Sequence, residues 1–309
     1  MLDQNPFNKI KPIHFLIKLF SIFILVYVSY ILVVNLISSN FDSSDSISNY
    51  ITYILFCIIS CFWMCQKLHQ NQIEFKNIFG KFFINYQLIM RLLVLMIIFI
   101  IFSLGITLLT LSVISSTLPS FMNSLLEDMY SNNSQTLSTS LYSYLLEAFA
   151  FVIIGPAVEE FIFRGVLLHL CAAKYKVSSS IFISSLLFGL LHLNPIGASA
   201  YGAFFALLYI KYHSLFVPIY AHIINNAIVV TAPFFAELVI SDFNNMPTVN
   251  EVIDLWKIST PMIAFTTPLI VYLIYKQWSS NDATLPYFVN VAKKSKNKCN
   301  REHSTLTNR

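Results

Sequence analysis

Charged residues are scarce in this sequence. Only 11% of its 309 residues are Asp, Glu, Lys or Arg, and 56% are hydrophobic, whereas soluble domains contain about 25% charged residues. The mean hydropathy is +0.68. So apolar a composition excludes an ordinary soluble domain and a disordered chain, and it indicates a membrane protein.

Several other features are absent. The net charge is only +4, and no basic stripe with interleaved aromatic residues is present, so we expect no nucleic-acid partner. No internal repeat indicates an inverted-repeat transporter, and no HExxH segment provides a compact zinc motif. Cysteine is represented by 5 residues, of which Cys57, Cys61 and Cys65 recur every four positions on one apolar segment. We interpret these three as packing residues and predict no disulfide.

Long apolar segments dominate what is present. A membrane-spanning helix needs about 20 mostly apolar residues, and eight segments approach or exceed this length. The predicted spans are 14–38, 50–66, 91–115, 142–168, 178–194, 198–212, 214–236 and 259–278. The sequence therefore predicts an all-α polytopic membrane protein with about eight transmembrane helices.

Basic residues predict how these helices are oriented. Lys and Arg accumulate on the cytoplasmic side of short loops. Eight spans with a cytoplasmic N-terminus leave only Lys257 of the 19 basic residues on the opposite side. Both termini are therefore predicted to be cytoplasmic, and the composition favours a bacterial plasma membrane. Residues 279–309 are rich in Lys and Asn, and we expect them to form a solvated tail.

Ionisable residues within the spans need an explanation. Burying a charge at mid-membrane costs about 2.5–3.5 kcal/mol on insertion scales, so such residues serve pairing, a water-filled cavity or chemistry. The segment GPAVEEFIFRG at 155–165 contains Glu159, Glu160 and Arg164. Glu160 and Arg164 are one helical turn apart, in the favoured order for an ion pair. Their pairing leaves Glu159 as the unpaired carboxylate, which a kink at Pro156 can turn towards the bundle interior.

Two later spans add further polar residues. FGLLHLNP places Phe188 and His192 one turn apart, and YAHIINNAIV does the same for His222 and Asn226. We interpret Phe188 as packing that positions His192. Alone, each His or Asn also fits a role in hydrogen bonding between helices, so only the combination favours a functional site.

A carboxylate, two imidazoles and an amide make a coherent set for peptide hydrolysis. A desolvated Glu159 can take a proton from water and return it to the leaving amine. His192 can help to hold or activate the water, while His222 and the Asn226 amide can donate hydrogen bonds to the oxyanion. The same groups also allow a divalent metal such as zinc, held by Glu159 or Glu160 together with His192 and His222. The use of a metal stays open.

These residues form three ordered motifs that resemble those of the CPBP family of CAAX proteases and bacteriocin-processing proteins. The motifs are Glu159-Glu160-x-x-x-Arg164, Phe188-x-x-x-His192 and His222-x-x-x-Asn226. The resemblance runs from about Ala148 to Val230. The family includes the type II CAAX prenyl endopeptidase, which cuts prenylated C-terminal peptides.

The resemblance implies a role for each matching residue. Glu159 corresponds to the general base, and His192 to its partner in activating water. His222 and Asn226 correspond to residues that stabilise the oxyanion. Glu160 and Arg164 correspond to positions required for the site. The family is often described as metalloproteases, although a metal-free, glutamate-dependent mechanism has also been argued.

On this basis the chain divides into three parts. Residues 1–140 hold the N-terminal three helices with their loops, 141–236 form a CPBP-type catalytic core, and 237–309 comprise an outer loop, the last span and the basic cytoplasmic tail. The implied function is an intramembrane endopeptidase that cuts hydrophobic, lipidated or membrane-embedded peptides, in bacteriocin or pheromone processing or in self-immunity. Its partners are the lipid bilayer and a hydrophobic peptide or membrane-protein substrate.

Two other functions stay open. A proton-coupled membrane transporter also places Glu and His inside the membrane, and a non-enzymatic bacteriocin-immunity or scaffold protein could keep the same fold. Helix length raises a further difficulty, because straight helices rising about 1.5 Å per residue put His192 near the outer face but Glu159 and His222 nearer the inner face. Helix tilt, a kink at Pro156 or a later start of the fourth span is needed to bring them together.

Overall fold

The computed structural model describes residues 5–37, 46–82, 84–133, 141–239, 246–278 and 284–307. All regular secondary structure in these ranges is helical, which confirms the all-α prediction. The helices are α1 (Pro12–Ile37), α2 (Ser46–Gln70), α3 (Phe75–Phe79), α4 (Tyr86–Thr117), α5 (Pro119–Asn133), α6 (141–172), α7 (Val177–Leu190), α8 (Pro195–Tyr212), α9 (Phe216–Val239), α10 (Val249–Ile253), α11 (Trp256–Gln277) and α12 (Pro286–Thr307), preceded by a 3-10 turn at Pro6–Lys9.

Each predicted span overlaps one helix, although α7, with 14 residues, is shorter than a full span. Within the described ranges, four helical stretches are long and apolar enough to cross a membrane, and two more apolar helices are shorter. The four are Pro12–Leu32, Ile47–Gln70, Tyr86–Thr117 and Val249–Gln277, and the shorter two are Val177–Leu190 and Phe216–Ala232. Large apolar side chains on the outside of the bundle, such as Phe20 and Phe265, are exposed where lipid would cover them. The chain is a multi-pass membrane protein.

Packing on α2 agrees with the interpretation of its cysteines. Cys57 is buried within the main core, and Cys61 packs against that core. The thiols of Cys57, Cys61 and Cys65 are free.

The predicted tail is partly incorporated into the fold. The expectation of a solvated segment is wrong for its first described residues, because Leu285 and Tyr287 are buried and α12 begins there. Phe7 packs edge-on against Tyr287 and stacks on His169 of α6, with ring centroids 5.2 and 4.8 Å apart. Apolar burial of these rings offsets the cost of ordering a polar helix.

Polar contacts join the same end of the bundle. The Asn290 amide on α12 donates to the carbonyl oxygens of Asn77 and His213, at 2.9 and 3.0 Å. Lys294 forms an ion pair with Glu74 at 2.8 Å. The N-terminal turn, the α2–α4 connection, the α8–α9 turn and α12 therefore share one end, as the orientation prediction requires. The side of the membrane that this end faces stays a prediction.

α6 changes its hydrogen-bonding register twice. Two π-helical stretches, Phe149–Ile154 and Phe161–Leu167, flank the α-helical Gly155–Glu160. The first ends beside Pro156, whose nitrogen has no hydrogen to donate, and the Gly155 N–H bonds to the carbonyl of Ala150, five residues back. The irregularity thus lies where the sequence predicts a kink, and it takes the form of a π-helical stretch.

α7 is too short to cross the bilayer. It has 14 residues, which span about 21 Å at about 1.5 Å per residue, against a hydrocarbon thickness of about 30 Å. The α7–α8 connection is held against α4 by Asn194, whose amide donates to the Ser103 carbonyl at 2.8 Å and to the Thr107 hydroxyl at 3.0 Å. Ser103 lies near the middle of the 32-residue α4. His192 therefore lies at an intermediate depth, which removes the difficulty raised by straight helices.

Candidate active site

Side chains from α2, from α9 and from the segment after α7 converge on Glu159 of α6. Its Oε1 accepts a hydrogen bond from the Tyr53 hydroxyl of α2 at 3.0 Å. Its Oε2 is buried and has no hydrogen-bond partner among the described residues. The Nε2 atoms of His192, beyond α7, and His222, on α9, lie 3.8 and 3.9 Å from Oε2. Glu159 therefore lies outside the Glu160–Arg164 ion pair, as predicted, and the spacing did not predict the hydrogen bond that its Oε1 accepts from Tyr53.

These separations suit a bridging water. Atoms 3.8 Å apart, like His192 Nε2 and Glu159 Oε2, are too distant for a direct hydrogen bond, but each can bind the same water at about 2.8 Å. The Glu159 side chain is 27% exposed and that of His192 36%, whereas that of His222 is only 5% exposed. The site is thus open on the His192 side and closed on the His222 side.

The backbone determines the tautomer of His192. Its Nδ1 lies 2.7 Å from the carbonyl oxygen of Phe188, one turn earlier. Since a carbonyl can only accept, Nδ1 carries the hydrogen, and Nε2 of the neutral ring is an acceptor that faces Glu159. Phe188 packs against the imidazole with ring centroids 4.4 Å apart. Phe188 therefore orients His192 through both its ring and its carbonyl.

Glu160 and Arg164 form the buried ion pair that their spacing predicts. Arg164 Nη1 lies 2.9 Å from Glu160 Oε1, and both side chains are almost inaccessible to solvent. His222 Nδ1 also donates to Oε1, at 3.0 Å, so the pair is a network of three charged or polar groups. Arg164 Nη2 donates to the Gly202 carbonyl at 3.1 Å, and the guanidinium lies 4.4 Å from the centre of the Phe188 ring.

This network determines what His222 can donate. A carboxylate accepts at Nδ1, so in the neutral ring Nε2 has no hydrogen. Nε2 is a donor beside Glu159 only in the form of the ring that carries a hydrogen on both nitrogens. His222 is thus connected to both glutamates, although they are neighbours in sequence and point in different directions.

Asn226 links α9 to α6. Its amide donates to the Phe151 carbonyl at 2.8 Å, and its own oxygen accepts from the Asn225 amide at 2.9 Å. The Phe151 carbonyl needs this partner, because the Gly155 N–H bonds to Ala150 instead and the next residue is proline. One hydrogen of the Asn226 amide therefore serves the fold, and the amide donates no second hydrogen bond among the described residues.

Tyr53 contacts Glu159 but belongs to none of the three motifs. It lies 106 positions before Glu159, in a part of the chain where we found no motif. A tyrosine in an apolar helix is common at membrane interfaces, so the sequence offers no specific signal. Only the packing of α2 against α6 reveals its contact with the carboxylate.

A metal site is not formed by the side chains as they are placed. The described His, Cys, Asp and Glu residues contain no group of three or more that could hold a metal ion. Tetrahedral zinc with ligands at about 2.1 Å requires ligand atoms about 3.4 Å apart, whereas His192 and His222 lie 3.8 and 3.9 Å from Glu159.

The segment that contributes most of this site is similar to a known class of membrane peptidase domains. Residues 141–228 match the family model described as "Type II CAAX prenyl endopeptidase Rce1-like". The match includes all three motifs and confirms the resemblance for this part of the chain. Tyr53 lies outside it.

A bacterial relative shows a similar partial match. "Putative membrane peptidase YdiL" of Bacillus subtilis (strain 168) is 32% identical over 103 residues, which are 32% of this chain and 42% of that protein. The chain therefore spans less than half the length of the curated relative that it matches. No solved structure matches the chain.

Proposed function

We propose that this protein is an intramembrane endopeptidase in which Glu159 and His192 activate a water molecule. One observation carries the proposal. Glu159 Oε2 has no hydrogen-bond partner among the described residues, and it faces Nε2 of His192, in the segment that follows α7, at 3.8 Å. Two acceptors at this separation can hold one water by both of its hydrogens and leave an oxygen lone pair free to attack.

The reaction follows from this arrangement. The water oxygen attacks the carbonyl carbon of the peptide while Glu159 takes one water proton. The carbonyl π electrons move to oxygen, and the oxyanion accepts hydrogen bonds from His222 Nε2–H and the free N–H of Asn226. The intermediate collapses, the C–N bond breaks, and Glu159 gives its proton to the leaving amine. Glu160 holds His222 in place through its Nδ1, and Arg164 holds Glu160.

The surroundings favour a hydrophobic substrate. A groove of about 550 Å³ between α1 and α2 is lined mainly by apolar side chains, with Tyr30 and Thr52 among its polar ones. An adjoining pocket of about 150 Å³ shares Tyr30 and Thr52 and is also lined by Tyr53, which touches Glu159. We infer an apolar path through these two cavities, from the lipid-facing side of the N-terminal helices towards the carboxylate. Hydrophobic, lipidated or membrane-embedded peptides suit this path.

The cellular role that we propose is peptide processing or self-immunity at a bacterial plasma membrane. A bacteriocin leader, a pheromone precursor or a prenylated C-terminal peptide each presents a short hydrophobic substrate of this kind. Cytoplasmic termini would place the shared end of the bundle, with α12, inside the cell. We propose no metal-dependent step.

Proteolysis in liposomes tests the function. Wild type, Glu159→Gln and His192→Ala are compared on a fluorogenic library of hydrophobic peptides, with Glu251→Gln as a matched change in an exposed carboxylate. Loss of the base should lower kcat/KM by about 10²–10⁴, whereas Glu251→Gln should cleave at the wild-type rate. Cleavage by Glu159→Gln at the wild-type rate would exclude the mechanism.

Further experiments distinguish this mechanism from the alternative functions. Addition of a chelator tests dependence on a metal, and unchanged cleavage is the expected result. A proton-coupled transporter predicts that Glu159→Asp retains proton flux and that Asn226→Ala has little effect, whereas hydrolysis predicts a severe loss for both variants. A non-enzymatic immunity protein predicts that Glu159→Gln still protects cells.

A further inference from the structure

We propose that Tyr53 is a positioning residue of this site, and that α2 thereby completes an active centre that the family segment alone does not contain. The inference rests on the proposed function and extends it. The Tyr53 hydroxyl holds Glu159 Oε1, so that Oε2 is the oxygen presented to water. A residue from the N-terminal helices thus determines how the general base is oriented.

The contact itself is specific. The Tyr53 hydroxyl donates to Oε1 at 3.0 Å, and its ring packs on Phe151 of α6 with centroids 5.0 Å apart. The ring position is therefore constrained by α6 as well as by α2. A carboxylate held at one oxygen cannot exchange its two oxygens by rotation without breaking that bond. Holding a reacting group in the productive orientation contributes more to the reaction rate than the same hydrogen bond contributes to stability.

Gly155 provides an independent observation. It lies one turn before Glu159, and a Cβ atom built there would lie 2.5 Å from the Tyr53 hydroxyl oxygen and 3.3 Å from the ring carbon that bears it. Any side chain at position 155 would displace the hydroxyl. The glycine thus leaves the space through which Tyr53 reaches over α6 to the carboxylate.

The contact requires α2 as well as the segment that matches the family model, because Tyr53 lies on α2. The family match begins at residue 141, far beyond α2. Within the described residues, Oε1 has one hydrogen-bond donor, the Tyr53 hydroxyl, and the two histidines face the other oxygen. Without α2 both oxygens of Glu159 would be free to turn away from His192.

The test compares Tyr53→Phe with Tyr209→Phe in full-length protein in liposomes. Tyr209 is a matched control, because its buried hydroxyl also donates a hydrogen bond, to the Ile78 carbonyl at 2.7 Å and not to Glu159. Tyr53→Phe should lower kcat about tenfold with little change in KM. Tyr209→Phe should keep the wild-type kcat and KM.

Gly155→Ala gives a second route to the same loss. Because the added methyl group displaces the Tyr53 hydroxyl, its effect on kcat should resemble that of Tyr53→Phe. The double variant should lose less activity than the product of the two single losses, since both changes remove one contact. A wild-type kcat in Tyr53→Phe, or an equal loss in Tyr209→Phe, would overturn the proposal.

Infrared spectroscopy separates this proposal from the peptidase activity. The difference between wild type and Glu159→Gln identifies the carboxylate band of Glu159, which should shift in Tyr53→Phe and not in Tyr209→Phe. A shifted band in a protein that cleaves no peptide would reject the proposed function but support the role of Tyr53. An unchanged band would reject the role of Tyr53 whether or not peptides are cleaved.

Discussion

Replacing Arg164 by methionine tests the buried network that supports the site. In the wild type the guanidinium neutralises Glu160 at 2.9 Å, and both side chains are fully buried. Methionine keeps much of the volume and the packing against Phe188, but it removes the charge and all donors. Glu160 is then left with His222 as its hydrogen-bonding side chain.

The expected loss can be worked out from these contacts. Removing one partner of a buried ion pair costs about 3–5 kcal/mol, since the other charge stays buried without compensation. The Gly202 carbonyl also loses a donor at 3.1 Å, but it accepts within α8 as well, so this loss adds little. The apolar stem of methionine offsets part of the remainder. We therefore expect Arg164→Met to lower the free energy of unfolding by about 3–5 kcal/mol.

Reversible unfolding in mixed micelles measures this difference. Lys257→Met is the matched control, because it breaks an ion pair with Asp254 of 2.7 Å whose side chains are 56% and 57% exposed. Exposed pairs contribute roughly 0–1 kcal/mol. The double variant Glu160→Gln/Arg164→Met should recover part of the loss, because no unpaired charge remains buried. A loss below about 1 kcal/mol in Arg164→Met, or simple additivity in the double variant, would refute the reasoning about the network.

Two further predictions concern other parts of the fold. Asn226→Leu should lower the free energy of unfolding by about 1–3 kcal/mol, because the Phe151 carbonyl loses its hydrogen-bond donor. Unfolding titrations of wild type, Asn226→Leu and Asn226→Ser measure this difference. Equal stability of wild type and Asn226→Leu would contradict the prediction. The hydrogen bond from Lys294 and its positive charge hold the pKa of Glu74 below its usual value. The pairing therefore stabilises the docked α12 at any pH above the usual pKa of a glutamate. This stabilisation is lost as the pH falls through the lowered pKa. Cleavage of α12 by added protease should therefore accelerate on acidification in wild type and show less pH dependence in Glu74→Gln.

Local features of this protein were determined by its sequence. Eight apolar segments predicted the long helices, because the bilayer imposes a length and a polarity on every span. The Glu160–Arg164 ion pair and the contact of His192 with Phe188 also followed from spacing, since residues four apart on a helix lie one above the other. Helix boundaries were less accurate, and α3, α5, α10 and α12 were not predicted, because short or polar helices lack a distinct hydropathy signal.

Only the tertiary structure decided how these pieces form a site. The depth of His192 depends on the short α7 and on the anchoring of Asn194 to α4, and the partner of the Phe151 carbonyl depends on how α9 packs against α6. Tyr53 reaches Glu159 across 106 positions of sequence, through a gap left by a single glycine. Such contacts arise from the packing of whole helices, whose relative rotation and depth follow from many small side-chain contacts and not from any local pattern.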